Sequence, residues 1–327
     1  MFVFNMKDLL HFRSQIYGFS ALWIIFFHIN NHFPINLPLL TPFLKVGNCG
    51  VDIFMFLSGY CLTLSFEKNS DIKSFYKKRV IRLIIPFLII SIPYYILKNY
   101  IRTPLCNGEF NFFGFFKDII GESFFFEGLR TTWFVHAIFL MYIIFPILFK
   151  ICKKNIYYAI CAWISSFFIL ALLYLICDNY YFFAIAACRL PVFTAGVLFS
   201  MYNIGPQINK RIFVFSVVYL TVFIFLFPIR KHLPQNFLWL FFFTFVPPVI
   251  YIVGHVCERI KMKGACHYVG QYSLEIYLIH VMILNILKWG DYIQVLSFSL
   301  YLTVPVLSFC LSLLVAKLSK TIANFIK

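Results

Sequence analysis

The chain has 327 residues and a net charge of +16, from 28 Lys and Arg against 12 Asp and Glu. Hydrophobic residues make up 62% and charged residues 12%, about half the usual soluble share. That composition excludes a disordered chain and an ordinary soluble domain, which has no means of hiding so much apolar surface. Its basic residues lie between long apolar runs, which argues against a water-soluble nucleic-acid binder and leaves a polytopic helical membrane protein.

Lipid offers the backbone no hydrogen bonds, so an apolar run of about 20 residues must be helical. Ten such runs occur in chain order, at roughly 16–33, 46–66, 83–101, 131–149, 155–176, 180–201, 211–229, 237–256, 269–288 and 295–317. A β-barrel would show weak alternating segments of about 10 residues instead. The first run follows a charged stretch with Lys7, Asp8 and Arg13, and no small-residue cleavage site comes after it, so it reads as a retained helix. The expectation is an all-α integral membrane bundle, one unit over 1–327 with no appended soluble domain.

Ten spans put both termini on one side, and the Lys and Arg distribution selects the side. With cytoplasmic termini, 19 of these residues fall inside and eight outside, and Arg189 lies within a span. Most of the net charge is then a topology signal beside anionic lipid. The cluster Arg230, Lys231 and His232 falls outside and breaks the pattern locally. The longest outer loop, about 102–130, is rich in Phe with balanced charges, and reads as one or two short interfacial helices. The ten Cys residues show no metal-ligand spacing and read as small apolar fillers; Cys49 and Cys106 share the outer side and are near enough in topology for a disulfide to be considered. No metal site is expected.

Ionisable residues inside spans cost on the order of 2.5–3.5 kcal/mol each, so those present need a partner or a task. His28 and Asp52 sit at matching depth near the outer ends of spans one and two, and a carboxylate beside an imidazole fixes its tautomer and raises its basicity. The pair reads as a general base, or as a buried polar clasp between helices. Trp133 and His136 lie at similar depth in span four. Arg189 has two candidate partners, Glu275 and Asp52. In span nine, Ser273, Tyr277 and His280 share one helix face and Glu275 points about 140° from His280. Lys78, Arg79 and Arg82 form an inner basic cluster in which the two arginines, three apart, share a face. Paired guanidinium groups suit phosphate, and a basic stop beside anionic lipid is the bland alternative.

Several of these pieces occur in one order. They are Gly18 to His28, Gly50 to Tyr60, Phe75 to Pro86 with its Arg-x-x-Arg, Trp133-Phe134, Arg189 to Phe193 with Gly196, and Gly270 to His280. In this series the chain resembles the membrane-bound acyltransferase-3 family of bacterial multi-span O-acyltransferases. The resemblance implies a ten-helix core in the bacterial inner membrane. It implies transfer of an acyl group, commonly acetyl, from cytoplasmic acyl-CoA to a hydroxyl of a surface glycan or lipid-linked sugar on the outer side. Acyl-CoA is a substrate in this reading, and no bound cofactor is implied. His28 and Asp52 would be catalytic, Arg79, Arg82 and Lys78 would hold the donor, and Ser58 or Ser273 would carry any covalent acyl group. Many members have an Arg eleven residues before the first-helix His. Here that position is Tyr17, on the His28 face, with Arg13 one turn earlier as the candidate replacement. The rival is a flippase or transporter of a lipid-linked oligosaccharide, which predicts repeats and interrupted helices that the sequence does not display. A glycan polymerase is a further rival, and it usually needs a larger outer loop.

Overall fold

The computed structural model describes residues 11–38, 40–103, 112–178, 180–203, 210–226, 246–254, 256 and 264–326. Among these, every regular element is helical and none is a strand. The elements are α1 (Arg13–His32), α2 (Leu40–Lys45), α3 (Gly50–Lys68), α4 (Ile72–Arg79), α5 (Ile85–Ile96), α6 (Phe112–Ile120), α7 (Glu122–Glu127), α8 (Trp133–Cys152) and α9 (Ile156–Ile176). They continue with α10 (Tyr180–Ala187), α11 (Leu190–Met201), α12 (Lys210–Leu226), α13 (246–254), α14 (Ala265–Gln271), α15 (Ser273–Trp289), α16 (Tyr292–Leu296) and α17 (Leu300–Ile326).

Among the described residues, six helical stretches are long and apolar enough to cross a membrane: Gly47–Lys68, Ile72–Arg102, Trp133–Cys152, Ile156–Ile176, Tyr180–Met201 and Tyr292–Phe325. The chain is a multi-pass membrane protein. The other four expected runs fall outside this set for different reasons. Helix α1 is long enough, but Gln15, Ser20, His28, Asn30 and Asn31 lower its hydropathy. Helices α12 and α15 are each 17 residues long. Most of the run at 237–256 lies outside the described residues, as do the Arg230 cluster, Cys106, Lys7 and Asp8. Cys49 is buried.

Three of the apolar runs are not uniform α-helices. The segment 72–102 contains two π-helical stretches, Val80–Ile84 and Leu97–Arg102, flanking α5. The run 180–201 breaks at Cys188–Arg189, where Arg189 caps α11 ahead of Pro191. The run 269–288 breaks at Tyr272, between α14 and α15. Irregular stretches are therefore present, though no repeat places them in matching positions among the described residues; Pro191 accounts for one, because it supplies no N–H to a helix that would continue through it. Elsewhere the ends follow local rules. Asp71 caps α4 by accepting the Ser74 N–H at 2.8 Å, and Asn155 caps α9 by accepting that of Tyr158 at 3.0 Å.

Two glycine crossings set the positions of the helices that carry the polar residues. Gly59 on α3 and Gly196 on α11 face each other so closely that a Cβ on Gly59 would lie 2.2 Å from the Phe193 carbonyl oxygen, and one on Gly196 2.1 Å from that of Phe56. Gly18 on α1 and Gly270 on α14 repeat the arrangement, with Cβ positions 1.9 Å from the Cys266 oxygen and 1.6 Å from the Ser14 oxygen. Small residues allow such backbone contact in lipid, where helix association relies on packing. A cluster of rings from Phe66, Phe75, Phe145, Phe149 and Phe193 then ties α3, α4, α8 and α11 together.

The expected short helices of the 102–130 loop are α6 and α7, joined by Gly121 at φ 92°. Residues 104–111, including Glu109 and Phe110, lie outside the described set. Asp118 of α6 is buried and bonded to Lys98 Nζ at 2.7 Å and Asn99 Nδ2 at 3.0 Å, which anchors α6 to the segment after α5. Phe112, Phe113, Phe116 and Ile120 stay exposed on α6.

Candidate functional site

A cavity of about 210 Å³ opens at the end of the bundle where α1 begins and α4 ends. Arg13 of α1, Arg79 at the end of α4 and Arg82 in the adjoining π-helical stretch all line it. Arg13 and Arg79 are half-buried and Arg82 is exposed at the mouth. No carboxylate is among the lining residues. Arg79 lies 5.6 Å from the Phe75 ring centre and 5.8 Å from that of Tyr142, and its Nε is buried without a hydrogen-bond partner. Three guanidinium groups thus share one cavity with no carboxylate among its lining residues, and a guanidinium fork is shaped to face two phosphate oxygens. Lys78 is exposed and not part of the lining. Arg13 and Tyr17 both line the cavity.

The cavity also collects Ser58 and Cys61 from α3 and Ser273 and Tyr277 from α15. Both serines considered as acyl carriers are thus in the basic cavity, not beside His28. Cys61, read from sequence as filler, is on the wall as well. The shared face predicted for Ser273, Tyr277 and His280 holds: the first two line the cavity and the third continues the row. Glu275 is outside the lining, within electrostatic reach of Arg82.

Four rings of the lining touch one another in a row. Tyr17 stacks on Phe54 at 5.3 Å, Phe54 meets Phe134 at 5.9 Å, and Phe134 meets Tyr277 at 4.9 Å. Beyond Tyr277 lies His280, at 5.5 Å, and beyond His280 lies His28, at 5.3 Å between ring centres. The 15 residues from Arg13 to His28 correspond to about 22 Å along α1. The arginine end of the cavity and the histidine pair are therefore at two depths, linked through Tyr277 by a row of polar track residues among aromatic rings.

Asp52 has a different partner from the one expected of a base-orienting carboxylate. Its Oδ2 accepts from Arg189 Nη2 at 3.1 Å, and both side chains are fully buried. No hydrogen bond joins it to His28. Of the two readings of Arg189, the structure gives the pairing with Asp52 and not the one with Glu275. Arg189 Nη1 also donates to the Ile185 carbonyl at 2.8 Å, and its guanidinium lies 5.4 Å from the Trp133 ring centre. The break before α11 is thus filled by an arginine that satisfies a carbonyl left open at the end of α10, and Trp133 covers it. Sequence spacing matched His28 and Asp52 in depth but carried no information on azimuth, and azimuth decides the partner. His136 also leaves the track: its Nε2 donates to the Ile119 carbonyl at 3.1 Å, tying α8 to the turn before α7.

Tyr142 was missed in the sequence, where a tyrosine in an apolar span looks like any other belt residue. It became identifiable only through the cavity it shares with Arg79 and Ser58.

A family model described as an acyltransferase domain matches residues 17–317. No curated protein and no solved structure matches the chain.

Proposed function

The chain belongs to the acyltransferase-3 family, and from that premise we propose that it moves an acyl group, acetyl in the simplest case, from cytoplasmic acyl-CoA to a glycan hydroxyl on the far side of the bacterial inner membrane. The observation that carries the donor assignment is the convergence of Arg13, Arg79 and Arg82 on one cavity whose lining has no carboxylate. The phosphates of the donor bind these guanidinium groups, and its acyl-bearing arm runs along the polar track past Tyr277. With ten spans, the Lys and Arg bias of the sequence supports cytoplasmic termini, which puts the arginine cavity on the side of the donor.

At the other depth, His28 removes the proton from the acceptor hydroxyl as its oxygen attacks the thioester carbonyl. A C–O bond forms, the C–S bond breaks, and the CoA thiolate leaves and regains a proton from the imidazolium. A positioned base of this kind contributes about 10²–10⁴ in rate. Asp52 acts in this scheme through Arg189, as the clasp that fixes α3 against α11 near the reacting groups. The aromatic rings along the track exclude water and limit loss of the acyl group to hydrolysis.

Two measurements on membranes from expressing cells test the proposal. Radiolabelled acetyl-CoA and host glycan should give alkali-labile label in the glycan, and His28→Ala should abolish it while the protein still accumulates. Acyl-CoA should also slow alkylation of Cys61, followed by mass spectrometry of its peptide, and Arg79→Ala with Arg82→Ala should remove that protection. Full transfer in His28→Ala would overturn the base assignment. Glycan crossing vesicles with no label from any acyl-CoA would replace the enzyme reading with a transporter.

A further inference from the structure

The catalytic reading of His28 leaves the imidazole without the carboxylate that usually orients it, because Asp52 is committed to Arg189. A neutral histidine ring has two nitrogens in different states, one N–H and one lone pair, and a base works only if the lone pair faces the substrate. Something must set that choice.

His280 has the required geometry. It is fully buried, and its Nδ1 lies 3.1 Å from the Ile276 carbonyl oxygen one turn back on α15. A carbonyl oxygen only accepts, so Nδ1 carries the hydrogen and donates it. The neutral ring then presents a lone pair at Nε2. That Nε2 is buried and has no hydrogen-bond partner, an arrangement that costs about 1–3 kcal/mol when nothing uses the acceptor. The ring beside it is His28, at 5.3 Å between centres and tilted by 45°. A separation of 5.3 Å between ring centres is close to that of two imidazoles joined by an N–H···N bond.

We propose that His280 is the positioning residue of His28: its Nε2 lone pair accepts the His28 N–H and so turns the other His28 nitrogen, unprotonated, toward the acceptor hydroxyl. The inference rests on the reading of His28 as the base. Ile276 fixes the His280 tautomer, His280 fixes the His28 tautomer, and the order of donation runs in one direction along the row. When His28 takes the acceptor's proton, its N–H toward His280 belongs to an imidazolium and the bond strengthens, so the stabilisation is larger after proton transfer than before it. The pair performs with two imidazoles what a carboxylate and an imidazole do elsewhere, without placing a third charge beside the Asp52–Arg189 pair.

Two conservative substitutions separate this role from a structural one. An Asn amide reproduces the Nδ1–H that holds Ile276 but offers no acceptor at the Nε2 position. A Gln amide places an oxygen acceptor near Nε2 and gives up the Ile276 bond. In the acetyl-CoA and glycan assay, His280→Gln should keep kcat within a few-fold of wild type. His280→Asn should lower it about 10²-fold with an unchanged KM for acetyl-CoA and unchanged protection of Cys61. The opposite order, Asn active and Gln inactive, would show that only the Ile276 bond matters, and two fully active variants would remove any role. If wild type itself transfers nothing, the function assignment fails instead, and carbethoxylation of His28 by diethylpyrocarbonate still reads the contact. That modification should be several-fold slower in His280→Asn than in wild type and His280→Gln, and equal rates in all three would refute the contact.

Discussion

The Asp52–Arg189 pair is a fully buried ion pair, and its removal should be costly in a specific pattern. Both side chains are fully buried, with Oδ2 and Nη2 3.1 Å apart. Asp52→Ala leaves a guanidinium in a low-dielectric interior without its carboxylate, still bonded to the Ile185 carbonyl and beside the Trp133 ring. Breaking one partner of such a pair costs about 3–5 kcal/mol, and the contacts that survive at Arg189 place this case near the lower end. A loss of about 3 kcal/mol shifts the folded ratio by roughly a hundredfold. Replacing both residues, Asp52→Leu with Arg189→Met, removes the uncompensated charge and should recover most of the loss, because paired burial is close to neutral against apolar filling. The assay is thermal unfolding of detergent-solubilised protein, read as the fraction eluting at the native volume after heating. The same preparations are assayed for transfer. A clasp predicts that the double variant regains stability together with part of its activity. A double variant no more stable than the worse single one, or Asp52→Ala within about 0.5 kcal/mol of wild type, would refute the reasoning.

Other contacts give sharper but smaller effects. Gly270→Ala should lower thermal stability by about 1–3 kcal/mol, since its Cβ would lie 1.6 Å from the Ser14 carbonyl oxygen, whereas Gly264→Ala, with nothing within 4 Å, should not move the same melt. Lys98→Met should loosen α6, because buried Asp118 keeps Asn99 but loses its cation; limited proteolysis of the 104–127 region should speed up, and unchanged cleavage would count against the anchor. Phe134→Ala removes the ring between Phe54 and Tyr277 and should raise acetyl-CoA hydrolysis in the absence of glycan, measured as free thiol release; an unchanged rate would mean that these rings do not shield the donor.

The spans were legible where one property decided them. Runs such as 155–176 are apolar throughout, and lipid leaves a helix as the only outcome. Helix α1 was legible as a helix, yet its polar residues keep it out of the set of strongly apolar spans, because the face that carries Tyr17 and His28 serves the polar track. The breaks at Arg189 and Tyr272 were harder. Hydropathy averages over about 20 residues, and a one-residue interruption does not change the average. Only Arg189-Leu190-Pro191 carries a local signal, because Pro191 withholds an N–H from a helix that would run through it.

The site was legible by depth and illegible by azimuth. Counting residues from the span ends puts His28, Asp52 and Trp133 at similar depth and the arginine cluster at the opposite end; the structure sets Trp133 and Asp52 around Arg189 and gathers Arg79 and Arg82 in a cavity that includes neither. Depth follows from the 1.5 Å rise alone. Which residues touch depends on how far each helix is rotated about its axis, and that rotation is fixed by contacts between distant helices. The glycine crossings are the clearest instance: Gly59 with Gly196 turns Asp52 toward Arg189, and Gly18 with Gly270 brings α1 alongside the α14–α15 segment so that His28 meets His280. Periodicity within span nine did give the relative azimuth of Ser273, Tyr277 and His280, because they share one helix. A rule follows for chains of this kind: polar residues on one span can be grouped by face from sequence, whereas partners on different spans become predictable once the small-residue crossings are matched to one another.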